Sequence, residues 1–157
     1  VQAEEKARRA GEGSAEVLAQ LHNVPGCENL TWNDVQIAST IFAVKPGDGS
    51  AREQAASCQR VLGAGANIVT EYATKRYRSN LINWGMLPLQ LVGATPFGLG
   101  DYVFIPNVRE ALKGDLQDIK AYVLGDTAKE FSLYMAPLTA DERKILADGC
   151  LINFYKH

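Results

Sequence analysis

The stretch Gly47-Asp48-Gly49-Ser50-Ala51-Arg52-Glu53 decides how the rest of this chain is read. An apolar segment rich in β-branched residues, Val35 to Val44, precedes it, and a run of helix formers, Arg52 to Leu62, follows. The grammar is strand, tight glycine turn, helix N-terminus. Such a turn leaves backbone N–H groups unpaired and aimed outward, where they attract anions. Two readings of the seven residues stand side by side. Ser50-Ala51-Arg52-Glu53 has the form of a capping box, the hydroxyl serving a backbone N–H and Glu53 reaching back. The same hydroxyl and the Arg52 guanidinium also suit a site for a carboxylated ligand at the positive end of a helix.

At 157 residues the chain has the length of one domain, since a domain takes about 100–200 residues. Its hydrophobic share of 46% and charged share of 22% are those of a globular protein with a packed core. A net charge of −2 and a pI near 5.7 give no basic field to recruit nucleic acid. No apolar run approaches the ~20 residues of a bilayer span. The polar start Val1-Gln2-Ala3-Glu4-Glu5 has no apolar signal-peptide region. It also lacks an initiator Met and opens inside a helical pattern, so the chain is expected to be a fragment or processed piece of a larger one. Cys27, Cys58 and Cys150 are odd in number and far apart, which argues for reduced thiols in a cytoplasm-like compartment. Cys58 and Cys150 are expected to be buried as small hydrophobes, and no metal site is expected.

Outward from the turn, residues 1–22 read as helix broken near Gly11 and Gly13, with Val17, Leu18 and Leu21 as a docking face and His22 closing it. Val35 to Val44 has the continuous apolar character of a strand buried on both faces. The helix after the turn ends at Gly63-Ala64-Gly65. A second strand, Asn67 to Thr70, leads to a second helix, Tyr72 to Trp84, stopped by Gly85. This is βαβ grammar, with parallel strands. Leu87 to Val92 resumes as strand, with Pro88 confining it to an edge or a strand start. Then the pattern changes: Tyr102 to Ile105, Ile119 to Leu124 and Phe131 to Met135 are short strands, with a helical turn at Val108 to Lys113 and a hairpin at Gly125-Asp126. The capping box Thr139-Ala140-Asp141-Glu142 opens a last helix running to about Cys150.

Three pieces carry a family resemblance: the Gly47–Glu53 turn with Gln54-Ala55, then Arg78-Ser79-Asn80-Leu81-Ile82-Asn83-Trp84-Gly85-Met86-Leu87-Pro88-Leu89, then Asp148-Gly149-Cys150-Leu151-Ile152-Asn153-Phe154-Tyr155. In order, spacing and element type they resemble the C-terminal swivel domain of the aconitase superfamily, whose pattern is a Gly-x-Gly-Ser-Ser-Arg-Glu-His turn followed by Asn-Leu…Gly-Leu-Leu-Pro-Leu. The bacterial aconitase-like hydratases are nearest in flavour, and the resemblance spans roughly residues 36 to 155.

The resemblance implies an α/β fold: a three-layer β/β/α swivelling domain, a βαβ half followed by short antiparallel strands and a C-terminal helix. Residues 1–34 would be a helical lead-in and 35–157 the core of a single domain. It implies a hydro-lyase that adds or removes water on a di- or tricarboxylic acid. On this sequence the family's catalytic serine falls on Ser50 and its carboxylate-binding arginine on Arg52, with Gly49 and Ala51 lining the substrate; Arg78, with Arg76, lies where this chain departs from the family and is read either as contacting a different substrate or as part of a solvated helix face. The family's 4Fe–4S cluster would sit on other domains, so the chain's partners would be those cluster-bearing domains, or a large subunit, and the carboxylic acid; neither nucleic acid nor membrane is implied. Alone, the chain would be inactive.

The departures are specific. Ala51 stands where the family has a second serine, Gln54 where histidine is common, and Ala73-Thr74-Lys75-Arg76-Tyr77-Arg78 is more basic and about one residue longer. Residues 1–46 hold no counterpart of the family's upstream substrate arginine, and no cysteine fits the cluster ligands. Two other readings follow: a separate small subunit like those of the isopropylmalate isomerases, and a degenerate module that binds carboxylates without turnover.

Overall fold

A computed structural model describes residues 1–156. In chain order the elements are α1 (Gln2–Arg9), α2 (Ala15–His22), β1 (Ser39–Ala43), α3 (Arg52–Val61), β2 (Ala64–Val69), α4 (Lys75–Asn83), β3 (Leu87–Gln90), β4 (Val103–Phe104), α5 (Val108–Lys113), β5 (Ile119–Val123), β6 (Lys129–Leu133), α6 (Ala140–Asp148) and α7 (Leu151–Phe154). The class is the expected one: α/β, with one parallel and one antiparallel sheet. The chain divides into two compact units. One comprises Val1–Ala38, Gly93–Pro106 and Lys120–Ser132; the other comprises Ser39–Val92, Asn107–Ile119 and the described residues from Leu133 onward.

The second unit holds the parallel sheet, in the order β1-β2-β3, with α3 and α4 as the connections. Register runs from Thr40 opposite Ala66 to Ala43 opposite Val69, and from Ala66 opposite Leu87 to Val69 opposite Gln90. β2 is central, and all its residues but Gly65 are buried. β1 corrects an expectation. It is shorter than Val35 to Val44 and is not buried on both faces: Ile41 is 38% and Phe42 41% exposed. The reason is sheet position, because β1 is an edge strand and apolar composition cannot separate edge from centre. β3, with Pro88, is the other edge of the ladder, as its proline demands. It is extended by one antiparallel bridge in which Gln90 N donates to Tyr134 O (2.7 Å) and Tyr134 N to Gln90 O (3.0 Å).

Between sheet and helices lies a cluster of Ala56, Ala64, Tyr77, Leu81 and Met86, with Tyr72 and Trp84 packed against it. The expected box at Thr139 forms: Glu142 N donates to Thr139 Oγ1 (3.2 Å), and Thr139 N to Glu142 Oε2 (2.8 Å). Arg143 ties α6 to the end of α5 through Leu112 O (2.5 Å) and Gly114 O (2.9 Å). Gly85 and Gly149, from the second and third motifs, meet backbone to backbone: a Cβ on Gly85 would lie 1.6 Å from Gly149 O.

In the first unit β5 is central to the sheet β4-β5-β6. β4 and β5 are antiparallel. Across the turn at Gly125-Asp126, Lys120 Nζ reaches Ser132 Oγ (3.3 Å) and Tyr122 Oη donates to Glu130 Oε2 (2.8 Å), so one strand's numbering falls as the other's rises, the antiparallel sense of a hairpin. Asn23 Nδ2 holds that turn through Gly125 O and Asp126 O (both 3.2 Å). Val24, Cys27 and Tyr122 form the core beside it. Here the cysteine expectation is corrected. Cys27 is the buried thiol, Cys58 is exposed and Cys150 half-buried, because Cys58 falls on the outer side of α3 while Cys27 sits in the Val24 cluster. His22 ends α2 as expected, its Nε2 2.8 Å from Leu30 O. No helix among the described residues is long and apolar enough to cross a membrane.

Glu5 anchors the same unit. Its carboxylate accepts from Arg8 Nε (2.7 Å), Arg9 Nε (2.9 Å) and Ile37 N (2.9 Å), and Arg8 also donates to Trp32 O. The Arg8 hydrogen bond, then the Ile37 amide and Arg9, hold the carboxyl at about 2, well below its ordinary 4.5. A depressed carboxyl contributes stability above its unfolded value and loses it as pH falls through the folded one. The tether is therefore at full strength above pH 4.5 and is lost toward pH 2, with up to about 3 kcal/mol at stake before solvent screening reduces it. Thermal unfolding of Glu5→Gln is expected to lie below that of the parent near pH 7, and the two midpoints to converge as pH approaches 2.

Candidate functional site

From Ala43 the backbone leaves β1 and runs beside the segment that leads into α4. Thr70 N donates to Ala43 O (3.3 Å), Glu71 N to Val44 O (2.9 Å) and Ala73 N to Pro46 O (3.0 Å). The chain then reverses at Gly47, whose φ of +97° only glycine adopts without strain. There is no room for a side chain either, since a Cβ would meet the Tyr77 ring at 2.6 Å. Gly47 O accepts from Arg52 Nε (3.1 Å) and Thr74 Oγ1 (3.3 Å), so the carbonyl of the first motif glycine is held from both following helices. Thr74 also caps α4 by accepting from Tyr77 N (3.2 Å).

The capping box expected at Ser50 does not form. α3 starts one residue late for it: Ala51 is the N-cap, with no side-chain cap bond, and Ser50 lies outside the helix. Ser50 is exposed, and among the described residues its hydroxyl has no hydrogen-bond partner. Glu53 is engaged elsewhere, accepting from Trp84 Nε1 at 2.5 Å. The hydrogen-bonding pattern also fixes the Asn80 amide. Its oxygen accepts from Glu53 N (2.9 Å), while its nitrogen donates to Glu53 Oε2 (3.1 Å) and Arg76 O (3.3 Å). An asparagine of α4 thus caps α3 from the side, and the serine is left uncommitted.

The structure brings Ser50, Ala51 and Arg52 together at the N-terminus of α3, where the helix dipole and free N–H groups favour negative charge. Arg52 is half-buried and anchored through Nε; its two terminal nitrogens make no hydrogen bond among the described residues, so they are open to a carboxylate. Gly49 is exposed, with nothing within 4 Å of a Cβ built on it, so its backbone is open to approach. Arg78 is placed differently. Its Nη2 donates to Ala136 O (2.8 Å) and Pro137 O (3.0 Å), bracing the segment ahead of α6, and its Nε is buried without a partner. Three residues that build the site, Asn80, Tyr77 and Asn67, carry no local signal of that role. Asn80 and Tyr77 stand within or beside the second motif, but Asn80 engages Glu53, 27 positions away, and Tyr77 engages Gln59 and Asn67, 18 and 10 positions away, all in other elements.

These residues do not fit an iron–sulfur cluster. Among those described, no three His, Cys, Asp or Glu side chains converge as metal ligands. The three cysteines are all free, and burial, with Glu28 beside it, pushes the Cys27 thiol up, away from the thiolate a cluster needs.

A family model for the aconitase C-terminal domain matches residues 19–93, a span that holds the turn, α3, α4 and the parallel sheet. Aconitate hydratase A from Mycobacterium avium is 34% identical over an alignment of 116 residues that covers 69% of this chain and 12% of that protein. The chain belongs to the aconitase superfamily, through its C-terminal type of domain. It spans only about an eighth of the length of that relative.

Proposed function

We propose that this chain is the swivel domain of an aconitase-like hydro-lyase acting on a di- or tricarboxylic acid, with Ser50 as base and Arg52 as carboxylate binder. The observation that carries the reading is the uncommitted Ser50 hydroxyl at the α3 N-terminus, two residues from an anchored guanidinium whose outer face is free. A serine hydroxyl ionises far above neutral pH unaided, and a helix N-terminus together with a cation lowers that barrier. As alkoxide, Ser50 would take the proton from the carbon beside a substrate carboxylate; the electron pair of that C–H bond becomes the new double bond as hydroxide leaves the neighbouring carbon. Hydration is the reverse. Expulsion of the hydroxide would fall to other domains, which in this family carry a 4Fe–4S cluster that supplies Lewis-acid chemistry. The isolated chain is therefore inactive.

Arg52→Lys in the complete protein tests the binding half. Lysine cannot keep the Gly47 anchor and still offer a planar pair of donors. Loss of one charge-assisted bidentate contact is worth about 1.5–3 kcal/mol, so kcat/KM for the carboxylic acid is expected to fall roughly 10- to 100-fold, with much of the loss in KM. Steady-state hydration kinetics with an unchanged kcat/KM would remove Arg52 from the substrate.

A further inference from the structure

Asn67 lies within β2 with 0% of its surface exposed, the only buried amide or charged side chain among the described residues. Ile68 and Val69 beside it are buried as well, and a central strand of a parallel sheet is satisfied by such residues. A primary amide there costs free energy unless it is hydrogen-bonded. Its Nδ2 donates to Tyr77 Oη at 3.0 Å, and Gln59 Nε2, from α3, donates to the same oxygen at 2.8 Å. One phenolic oxygen therefore joins β2, α3 and α4. Asn67 Oδ1 and Gln59 Oε1 are buried acceptors without a donor, while the phenol has one hydrogen to give.

The other face of this arrangement is the site. The Tyr77 ring, 2% exposed, is what a Cβ on Gly47 would strike, and Gly47 O is the acceptor that anchors Arg52. We propose that Tyr77, pinned at its hydroxyl by Asn67 and Gln59, is a positioning residue for the Ser50–Arg52 turn, setting where Gly47 O holds the guanidinium. The catalytic meaning of that position rests on the function proposed above. Phe at 77 with Leu or Val at 67 would fill the same space, so what the polar pair adds is a fixed placement of the ring.

The test is made on the 157-residue chain by 15N NMR of the Arg52 Nε–H, whose exchange with solvent reports its bond to Gly47 O. In Tyr77→Phe the ring remains but loses its pin, and this exchange is expected to quicken roughly tenfold while β5 amides in the other unit are unchanged. Asn67→Leu/Tyr77→Phe removes the buried amide donor together with the acceptor and leaves only the half-buried Gln59 without its partner, so the thermal midpoint should return part of the way toward that of the parent, whereas Arg52 exchange stays fast. If Tyr77→Phe leaves Arg52 exchange unaltered, or if exchange recovers with stability in the double variant, Tyr77 is core packing and the positioning role is overturned. Should Tyr77→Phe fail to fold, Gln59→Met, at a half-buried helix position, gives the same choice: severalfold faster exchange supports the role and an unchanged rate refutes it. No turnover enters the measurement, so its outcome is separate from whether Ser50 acts as base.

Discussion

Ser50→Ala in the complete protein that carries this chain is expected to lower the hydration rate roughly 10²- to 10⁴-fold, the range a positioned proton-transfer group supplies. Its effect on folding is expected to stay within about 0.5 kcal/mol, as for an exposed side chain with no partner. This split is what separates chemistry from capping. A serine that caps a helix costs about 0.5–2 kcal/mol when replaced by alanine and leaves rates alone. Here Ala51 is the N-cap, and Asn80 supplies the acceptor for Glu53 N, so Ser50 has no cap to lose. Thr139, whose hydroxyl does accept from Glu142 N, is the internal control: Thr139→Ala should lower stability by about 1 kcal/mol with the rate untouched. Thermal unfolding and steady-state hydration on the two variants, side by side, decide the matter. A Ser50→Ala enzyme with near-normal turnover and a lower melting temperature would make the hydroxyl structural.

The contrast between those two positions also shows what the sequence could convey. Both begin four-residue strings of capping-box form, yet only the one at Thr139 closes. A box is a local device, and where α6 starts is decided locally. The start of α3 is decided from outside, by an Asn80 amide and a Trp84 indole that engage Glu53 from α4 and its C-cap. The same distinction runs through the fold. α5 falls where Val108 to Lys113 was expected, and the glycine turn sits between strand and helix. β2 instead begins at Ala64, inside what reads as a helix stop, because Ala-Gly-Ala has little strand propensity and is drafted into the sheet by Ser39–Ala43 on one side and Leu87–Gln90 on the other. Ser50 and Arg52 were legible because a glycine turn and a helix start dictate their neighbourhood. Asn67 and Tyr77, which support them, were not, since a buried asparagine in a strand and a tyrosine in a helix carry no hint that their side chains meet.

Gly85→Ala is expected to destabilise the parallel-sheet unit strongly, and the size of the effect follows from two independent causes. A Cβ at position 85 would lie 1.6 Å from Gly149 O and 2.4 Å from Gly149 C, and the obstacle is backbone, which cannot turn aside as a side-chain tip can. Overpacking against a fixed neighbour costs about 1–3 kcal/mol and occasionally more. The φ of +71° at Gly85 adds about 1 kcal/mol for any residue with a Cβ. A combined loss of roughly 3 kcal/mol or more corresponds to a fall in melting temperature of about 6–12 °C for a chain of this size. Gly93 isolates the second cause, having φ +91° with nothing within 4 Å of a built Cβ, so Gly93→Ala should lose only about 1 kcal/mol. Gly85 ends the helix that carries Asn80 and Tyr77, while Gly149 ends α6. Forcing the two backbones apart therefore strains α4 and with it the groups that cap α3 and bear on Gly47. Calorimetry that gave the two glycine variants equal losses would show that backbone conformation alone, and not the close approach of the second and third motifs, fixes glycine at position 85.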